Sequence, residues 1–437
     1  MKIIIIGAGI TGISCAFYLK NNDYLIFEKE NIPGGLCRSV NLKNFIFDYT
    51  GHALHIKSNY AKNFIKNILK NSLIKVKRKS FIYFNNTYVK YPFQANLYGL
   101  SSNVIKDCLT DFINITFEYP FSIIPSPNLS FYCWVKKTFG EGFGKHFFFP
   151  YNSKLWTVSP KQLSCDWVGK FVPRPGLEEV INGTLLPQKK EYGYNIDFLY
   201  PKYGGIQSLI YGILEKINIK NLILNTEVKR INIKEKYIII NKQKINYDVL
   251  ISTIPLPELL DIIYDLPMNL YKLKDKLRYN CVLCINLGIK PEDFSSRNKS
   301  TWIYFPSKDY IFYRVGFYNN FSKSLVPAGC ISLYIETSFK PEDFSKINFD
   351  RILNKVKQDL FKCGLLKKND SIKIVNFLPI KYAYVIYNKE RPEVLKLIQG
   401  FLQKNNIYSI GRYGAWKYSY IEESILDAKK TVKTILK

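Results

Sequence analysis

The sequence predicts an α/β protein organised around a dinucleotide-binding domain, on three observations. Lys2–Ile6 is an apolar run that reads as a buried parallel strand. It ends in Gly7-Ala8-Gly9-Ile10-Thr11-Gly12, a GxGxxG turn that opens a helix over Ile13–Lys20. A second strand, Tyr24–Phe27, ends at Glu28, where a carboxylate meets ribose hydroxyls. Gly7 permits the tight turn, Gly9 lets a pyrophosphate approach the backbone, and Gly12 lets the helix lie close on the strand. The helix N-terminus offers unpaired N–H groups to phosphates. Strand, turn, helix, strand and acid in that order form the Rossmann-like fingerprint.

The composition fits a large globular chain. Its 437 residues suffice for two or three lobes around sizeable cores. Hydrophobic content of 47% against 22% charged excludes a disordered chain. No apolar run is long enough to predict a membrane span. The start, MKIIIIGAGI, superficially resembles a signal peptide, but its glycines belong to the nucleotide turn, so no cleavage is expected and the cytoplasm is the expected compartment. A formal net charge of +28 would attract polyanions. The lysines are scattered, however, and the densest run, Lys75-Val76-Lys77-Arg78-Lys79, is short, so a solvated surface is expected rather than nucleic-acid binding. The nine cysteines are widely spaced, as in a reducing compartment. Cys281 and Cys284 form the CxxC, inside a strand-like run where residues three apart face opposite sides. His52, His55 and His146 have no metal-ligand spacing, so no metal site is expected.

Along the chain, Ser80–Tyr88 alternates around Asn85-Asn86, a hairpin signal. Residues 97–195 read mostly as helices with aromatic-rich connections, and Pro173 and Pro175 place a loop before the next helix. After residue 195 an amphipathic helix (Gln207–Ile217) is followed by short strands at Leu222–Ile233, Tyr237–Asn241 and Val249–Thr253. From about 277 to 384 strands dominate: Cys281–Leu287, Thr301–Phe305, Ile311–Phe317 and Cys330–Thr337, with one helix, Phe349–Cys363. Ile407–Gly414 reads as a strand running into a loop, before a last helix, Glu422–Leu436. The dinucleotide domain is thus expected at 1–96, 196–260 and 385–437, with an inserted helical lobe (97–195) and an inserted antiparallel β-sheet lobe (261–384). A cleft between lobes is a common place for a substrate.

Two segments point to the cofactor. Pro33-Gly34-Gly35-Leu36-Cys37-Arg38-Ser39 and Asp48-Tyr49-Thr50-Gly51-His52 resemble the start of the amine-oxidase-like flavoproteins, which implies FAD rather than NAD. Longer motifs make the resemblance more specific: Tyr-Pro-Phe-Gln (91–94), Pro-Tyr-Asn-x-Lys-x-Trp (150–156), Trp-x-Tyr-Phe-Pro (302–306), Phe-Tyr-Arg (312–314) and Gly-Arg-Tyr-Gly-x-Trp-x-Tyr (411–418). In this order they resemble the UDP-galactopyranose mutases, particularly the eukaryotic-type branch.

The resemblance implies roles residue by residue. Gly7, Gly9, Gly12, Glu28, Gly34, Gly35, Arg38, Val228, Gly411 and Arg412 fall on cofactor positions, Val228 in the segment whose backbone contacts the adenine. Tyr91, Gln94 and Phe147 fall where the family holds uracil; an aromatic face and an amide suit a flat base. Asn152, Trp156, Asn195 and Trp302 fall on other sugar-nucleotide contacts. Arg314 falls on the diphosphate, with Tyr304, Tyr384 and Tyr418 beside it, and His52 on the loop next to flavin N5. The implied activity is pyranose–furanose interconversion of a nucleoside-diphosphate sugar, UDP-linked as in the family, through an N5–sugar adduct of reduced FAD, with NADPH or NADH as a source of electrons. The family usually carries a second diphosphate arginine where this chain has Phe171, in Trp167-Val168-Gly169-Lys170-Phe171. Losing that contact implies about 1.5–3 kcal/mol less binding, offset by Lys170 or Arg174, or a ligand with its charge elsewhere. Two other readings stay open: an FAD-dependent oxidoreductase of the amine-oxidase or protoporphyrinogen-oxidase type, and a non-catalytic flavin or sugar-nucleotide binder. The oligomeric state is not legible.

Overall fold

A computed structural model describes residues 1–119, 123–169, 171–193, 196–294 and 298–437. Its organising element is a five-stranded parallel sheet in the order Ile407–Ser409, Val249–Ser252, Ile3–Ile6, Tyr24–Phe27, Leu222–Ile223. Ile3–Ile6 occupies the centre, which is why four consecutive isoleucines are tolerated: both faces are covered. One face packs on the helices Ile10–Leu19 and Ile421–Ile435 through a core that includes Ile5, Ile13, Ile425 and Ala428. The chain enters this sheet from its start, its middle and its end.

The second sheet has seven strands, in the order Ser371–Val385, Tyr279–Lys290, Ile331–Phe339, Arg314–Phe317, Trp302–Tyr304, Ser80–Phe84, Thr87–Lys90. Two features differ from the sequence expectation. The hairpin Ser80–Lys90 belongs to this sheet, and Trp302–Tyr304 pairs with Ser80–Phe84 in parallel, so the sheet is not purely antiparallel. Ser371–Val385, a fifteen-residue edge strand, was not predicted as an element. Its exposed, lysine-bearing face blurs the alternation by which a strand is read. The hairpin turn itself is as expected: Asn85 and Asn86 both have positive φ, 45° and 62°, the backbone of a two-residue turn between twisted strands.

The helical lobe comprises Ser102–Glu118, Phe131–Phe143, Phe149–Trp156 and Leu177–Leu185. Between the second and third, Gly144–Phe148 forms a π-helical turn. The extra residue per turn rotates Phe147 and Phe148 relative to an uninterrupted helix. Among the described residues no helix is long and apolar enough to cross a membrane.

Candidate functional site

A cleft of about 660 Å³ runs between the parallel sheet, the helical lobe and the seven-stranded sheet. Its floor is the predicted nucleotide turn. Gly9 forms a β-bridge with Gly34, and Gly34 N–H donates to Ala8 C=O at 2.8 Å. A Cβ on Gly35 would stand 3.3 Å from Gly9 Cα, so the two glycine loops meet as bare backbone. Gly12 lies outside the cleft lining; a Cβ there would come within 2.0 Å of Gly7 O, so its absence lets helix and strand touch. The helix Ile10–Leu19 starts one turn earlier than predicted, has no side-chain cap and no acid in its first turn. Its N-terminal N–H groups are therefore open to an anion.

Glu28 is 8% exposed and held by backbone alone: Oε2 accepts from Ala8 N–H at 2.7 Å and Oε1 from Glu30 N–H at 3.0 Å. Each oxygen keeps a lone pair for a ribose hydroxyl. Arg38 donates to Gly35 C=O at 2.8 Å and lies over the Tyr49 ring. The bare glycine floor, uncapped helix and backbone-held carboxylate fit a flavin dinucleotide, with Gly7, Gly9, Gly34, Gly35, Glu28 and Arg38 as the residues that would hold it.

Asp48 anchors the neighbouring loop. Its carboxylate accepts from Ser39 Oγ (2.6 Å), Tyr200 OH (2.5 Å) and Ile206 N–H (3.1 Å), and its C=O accepts from Tyr318 OH (2.7 Å). Burial pushes this carboxyl up to about 6. The loop presents His52 to the cleft, and burial, with Arg412 and Arg314 nearby, pushes its imidazole down to about 4. His52 is therefore neutral at pH 7.

The far end is aromatic. Tyr91, Phe147, Tyr151 and Tyr304 line it, with Tyr304 centred 5.3 Å from Tyr91 and 5.5 Å from Tyr151, and Tyr151 stacked on Phe147. Gln94 is 1% exposed; its amide donates to Pro173 C=O at 2.7 Å, and its Oε1 has no hydrogen-bond partner among the described residues. That oxygen is an acceptor open to a ligand. Asn152 and Trp302 also line the cleft, as do Tyr384, Tyr418, Arg314 and Arg412. Burial raises the phenols of Tyr304 and Tyr418, which keeps both as O–H donors.

Four expected site residues stand elsewhere. Trp156 is buried behind the phenols, 5.5 Å from Tyr384 and 6.0 Å from Tyr418, and its indole N–H donates to Asn152 Oδ1 at 3.1 Å. Helical i, i+4 spacing makes the pair. Val228 is buried in the core beside the segment whose Thr226 N–H donates to Glu28 C=O. Gly411 lies against Thr11 of the first helix, and Gly12 as described. Asn195 and Lys170 lie outside the described residues.

Sequence reasoning missed two positions. Glu336, 0% exposed, takes Arg314 side-on: Nε and Nη2 both donate to it, the latter at 2.8 Å. The two residues face each other in register across neighbouring strands. The available signal was the one acidic residue in the strand Ile331–Phe339, which demands a cation once that strand is buried. Lys154 donates to Phe305 C=O (3.0 Å) and Ser307 C=O (2.8 Å), tying the helix that carries Tyr151 and Asn152 to the loop after Trp302–Tyr304. Burial pushes its amine down to about 7. The Lys of the 150–156 motif was visible in sequence, but not its partners.

A Rossmann-like cradle with a backbone-held carboxylate, opening onto an aromatic pocket, fits a flavin-dependent protein. The family model described as flavin containing amine oxidoreductase matches residues 10–436, and the chain belongs to that family. Among solved structures it is similar to reduced UDP-galactopyranose mutase, with 28% identity, a TM-score of 0.91, and coverage of 100% of this chain and 95% of that one. It shares the fold, at 13% identity and a TM-score of 0.69, with cyclohexylamine oxidase from Brevibacterium oxydans IH-35A (99% of this chain, 98% of that one). The same holds, at 15% identity and 0.66, for a CLA-producing fatty acid isomerase from P. acnes (100% and 98%). An uncharacterized protein in the nifH2 3' region of Methanothermococcus thermolithotrophicus is 39% identical over 56 residues; this match covers 12% of the chain and about half, 54%, of that protein's length.

Proposed function

We propose that this protein is a mutase that interconverts the pyranose and furanose forms of a nucleoside-diphosphate sugar, of the UDP-galactopyranose/UDP-galactofuranose type. The observation that carries the reading is the continuity of one cleft from the glycine cradle past His52 to Arg314 and the three phenols. The full-length likeness to reduced UDP-galactopyranose mutase supports it. When bound and reduced, FAD supplies nucleophilic chemistry toward an anomeric carbon; NADPH or NADH is the proposed source of its electrons.

The chain's own part is to bind and hold. Arg314 keeps its Nη1–Nη2 edge for phosphate oxygens, because Glu336 occupies the Nε–Nη2 edge. Tyr304, Tyr384 and Tyr418 donate to the same oxygens. Tyr91 stacks on the base, Phe147, itself stacked on Phe93 and Tyr151, forms the pocket wall beside it, and Gln94 Oε1 accepts a base N–H. With the leaving nucleotide fixed, the sugar reorganises beside it and is recaptured. A neutral His52 adds no competing charge. Asn152 reaches the sugar with the hydrogen-bonding capacity left after it donates to Phe148 C=O and accepts from Trp156.

A second reading, an amine-oxidase-type oxidoreductase, is favoured by one observation. Trp167, Phe171, Val172 and Tyr420 give the cleft an apolar wall, with Phe171 centred 4.8 Å from Tyr418 and 5.2 Å from Tyr420. Product analysis separates the two. Dithionite-reduced protein incubated with UDP-galactose is expected to yield UDP-galactofuranose, and oxidised protein none. Absence of furanose across a panel of sugar nucleotides, with FAD bound, would remove the mutase reading.

A further inference from the structure

The charges along the cleft wall do not balance evenly. Arg314 is neutralised by a buried carboxylate that grips it through two nitrogens. Arg38 and Lys381, also on the lining, pair with Glu30 and Glu258. Lys29 is exposed. Arg412 differs. Its Nη1 donates to Ser419 C=O at 2.8 Å and its Nη2 to Ala383 C=O at 2.9 Å, both neutral acceptors. Among the described residues no carboxylate is within ion-pair distance of it. The guanidinium carbon lies 5.0 Å from the Tyr418 ring centre and 5.6 Å from that of Tyr384, two of the phenols that also face Arg314. The Tyr413 phenol, also neutral, takes a further hydrogen bond from the guanidinium, and of its five N–H hydrogens those left over are available to a ligand.

A nucleoside diphosphate brings at least two negative charges into a partly desolvated groove, where an unbalanced charge is costly. The Arg314–Glu336 pair contributes donors but no net charge. We propose that Arg412 is a second phosphate-binding residue, supplying the net positive charge against which the nucleotide's diphosphate is held. Phe171 packs on Tyr418 from the helical lobe with the rings tilted 57°, and the guanidinium carbon lies 5.0 Å from the centre of the Tyr418 ring. Tyr418 is thereby fixed between lobe and cation without any charge from position 171. The inference rests on the nucleotide-diphosphate reading of the cleft. It goes further by moving the charge-balancing role from Arg314 to a residue that sequence resemblance assigns to the cofactor.

The test is titration of FAD-loaded wild type, Arg412→Gln and Arg412→Lys with UDP and with uridine, FAD content being read from absorbance. Arg412→Gln is expected to weaken UDP binding at least about tenfold, to leave uridine within about twofold because uridine has no phosphate, and to retain FAD. Arg412→Lys is expected to keep most of the UDP affinity. Unchanged UDP affinity overturns the assignment. So does an equal loss for UDP and uridine, which is the signature of a structural role. So does loss of FAD from Arg412→Gln, which would give the charge to the cofactor, or a Lys variant as weak as the Gln variant. Failure of the wild type to bind UDP would instead sink the nucleotide reading itself.

Discussion

Arg314 illustrates how much one residue's role depends on its partner. Alone on a strand it is a phosphate clamp; against Glu336 it is half of a buried ion pair that also presents donors to the cleft. Removing one partner of such a pair costs about 3–5 kcal/mol, because the other is left charged and unpaired. Arg314→Ala is therefore expected to lower the melting temperature and to weaken UDP binding at least about tenfold, with FAD still bound. The double variant Arg314→Gln/Glu336→Gln is expected to recover much of the stability but not the nucleotide affinity, as read by thermal melts and titration. Equal UDP affinity in the single variant and wild type would contradict the role given to Arg314. Side chains such as Arg314, Tyr304 and His52 could be found in the sequence because they sit in long motifs. Glu336 left only a single carboxylate on its strand as a signal, and its partner could not be read, because the pairing lies in register with another strand.

Elements hold these residues through contacts that sequence periodicity does not carry. The helix Phe149–Trp156 faces the cleft with Tyr151, Asn152 and Leu155, and Lys154 fastens it to the carbonyls of Phe305 and Ser307. Lys154→Met keeps the stem and removes the donors, leaving two carbonyls short of partners. A stability loss of about 1–3 kcal/mol is expected, with weaker UDP binding and unchanged FAD stoichiometry. A melting temperature and UDP affinity equal to wild type would show that the tie is dispensable. The same contrast explains which elements were legible. Ile3–Ile6 and Ile421–Ile435 carry strong apolar patterns and appear within a residue or two of the expected bounds. Ser371–Val385 and the helix Arg391–Lys404, whose polar surface faces dilute the pattern, did not announce themselves. The parallel pairing of Trp302–Tyr304 with Ser80–Phe84 joins residues more than two hundred positions apart, beyond the reach of any local signal.

At the scale of the whole molecule, three returns of the chain build one sheet, and the inserted lobes close a cleft over it. Enclosure leaves a titration signature. Burial lowers His52 and His55 to about 4, so both are neutral in the folded state, whereas an unfolded chain protonates them near 6.5. The unfolded state then binds more protons between those values, and these groups make stability rise as pH increases from about 4 to about 6.5. Asp48 works in the opposite sense between its unfolded value and about 6, because its raised value makes the folded state the better proton binder. His55→Gln is expected to flatten the rise relative to wild type by an amount on the order of 1–3 kcal/mol, followed by melting temperature against pH. Parallel curves for variant and wild type would contradict the burial effect.

In the proposed mutase reaction this cleft holds a nucleotide while its sugar changes ring size, with no net transfer of electrons. The direct measurement is an anaerobic reaction of the reduced protein with UDP-galactose, followed at once by product chromatography and by flavin absorbance. The account predicts many turnovers to the furanose form with the flavin as reduced at the end as at the start. Flavin reduction by the substrate in oxidised protein, together with an oxidised product and no furanose, would contradict it.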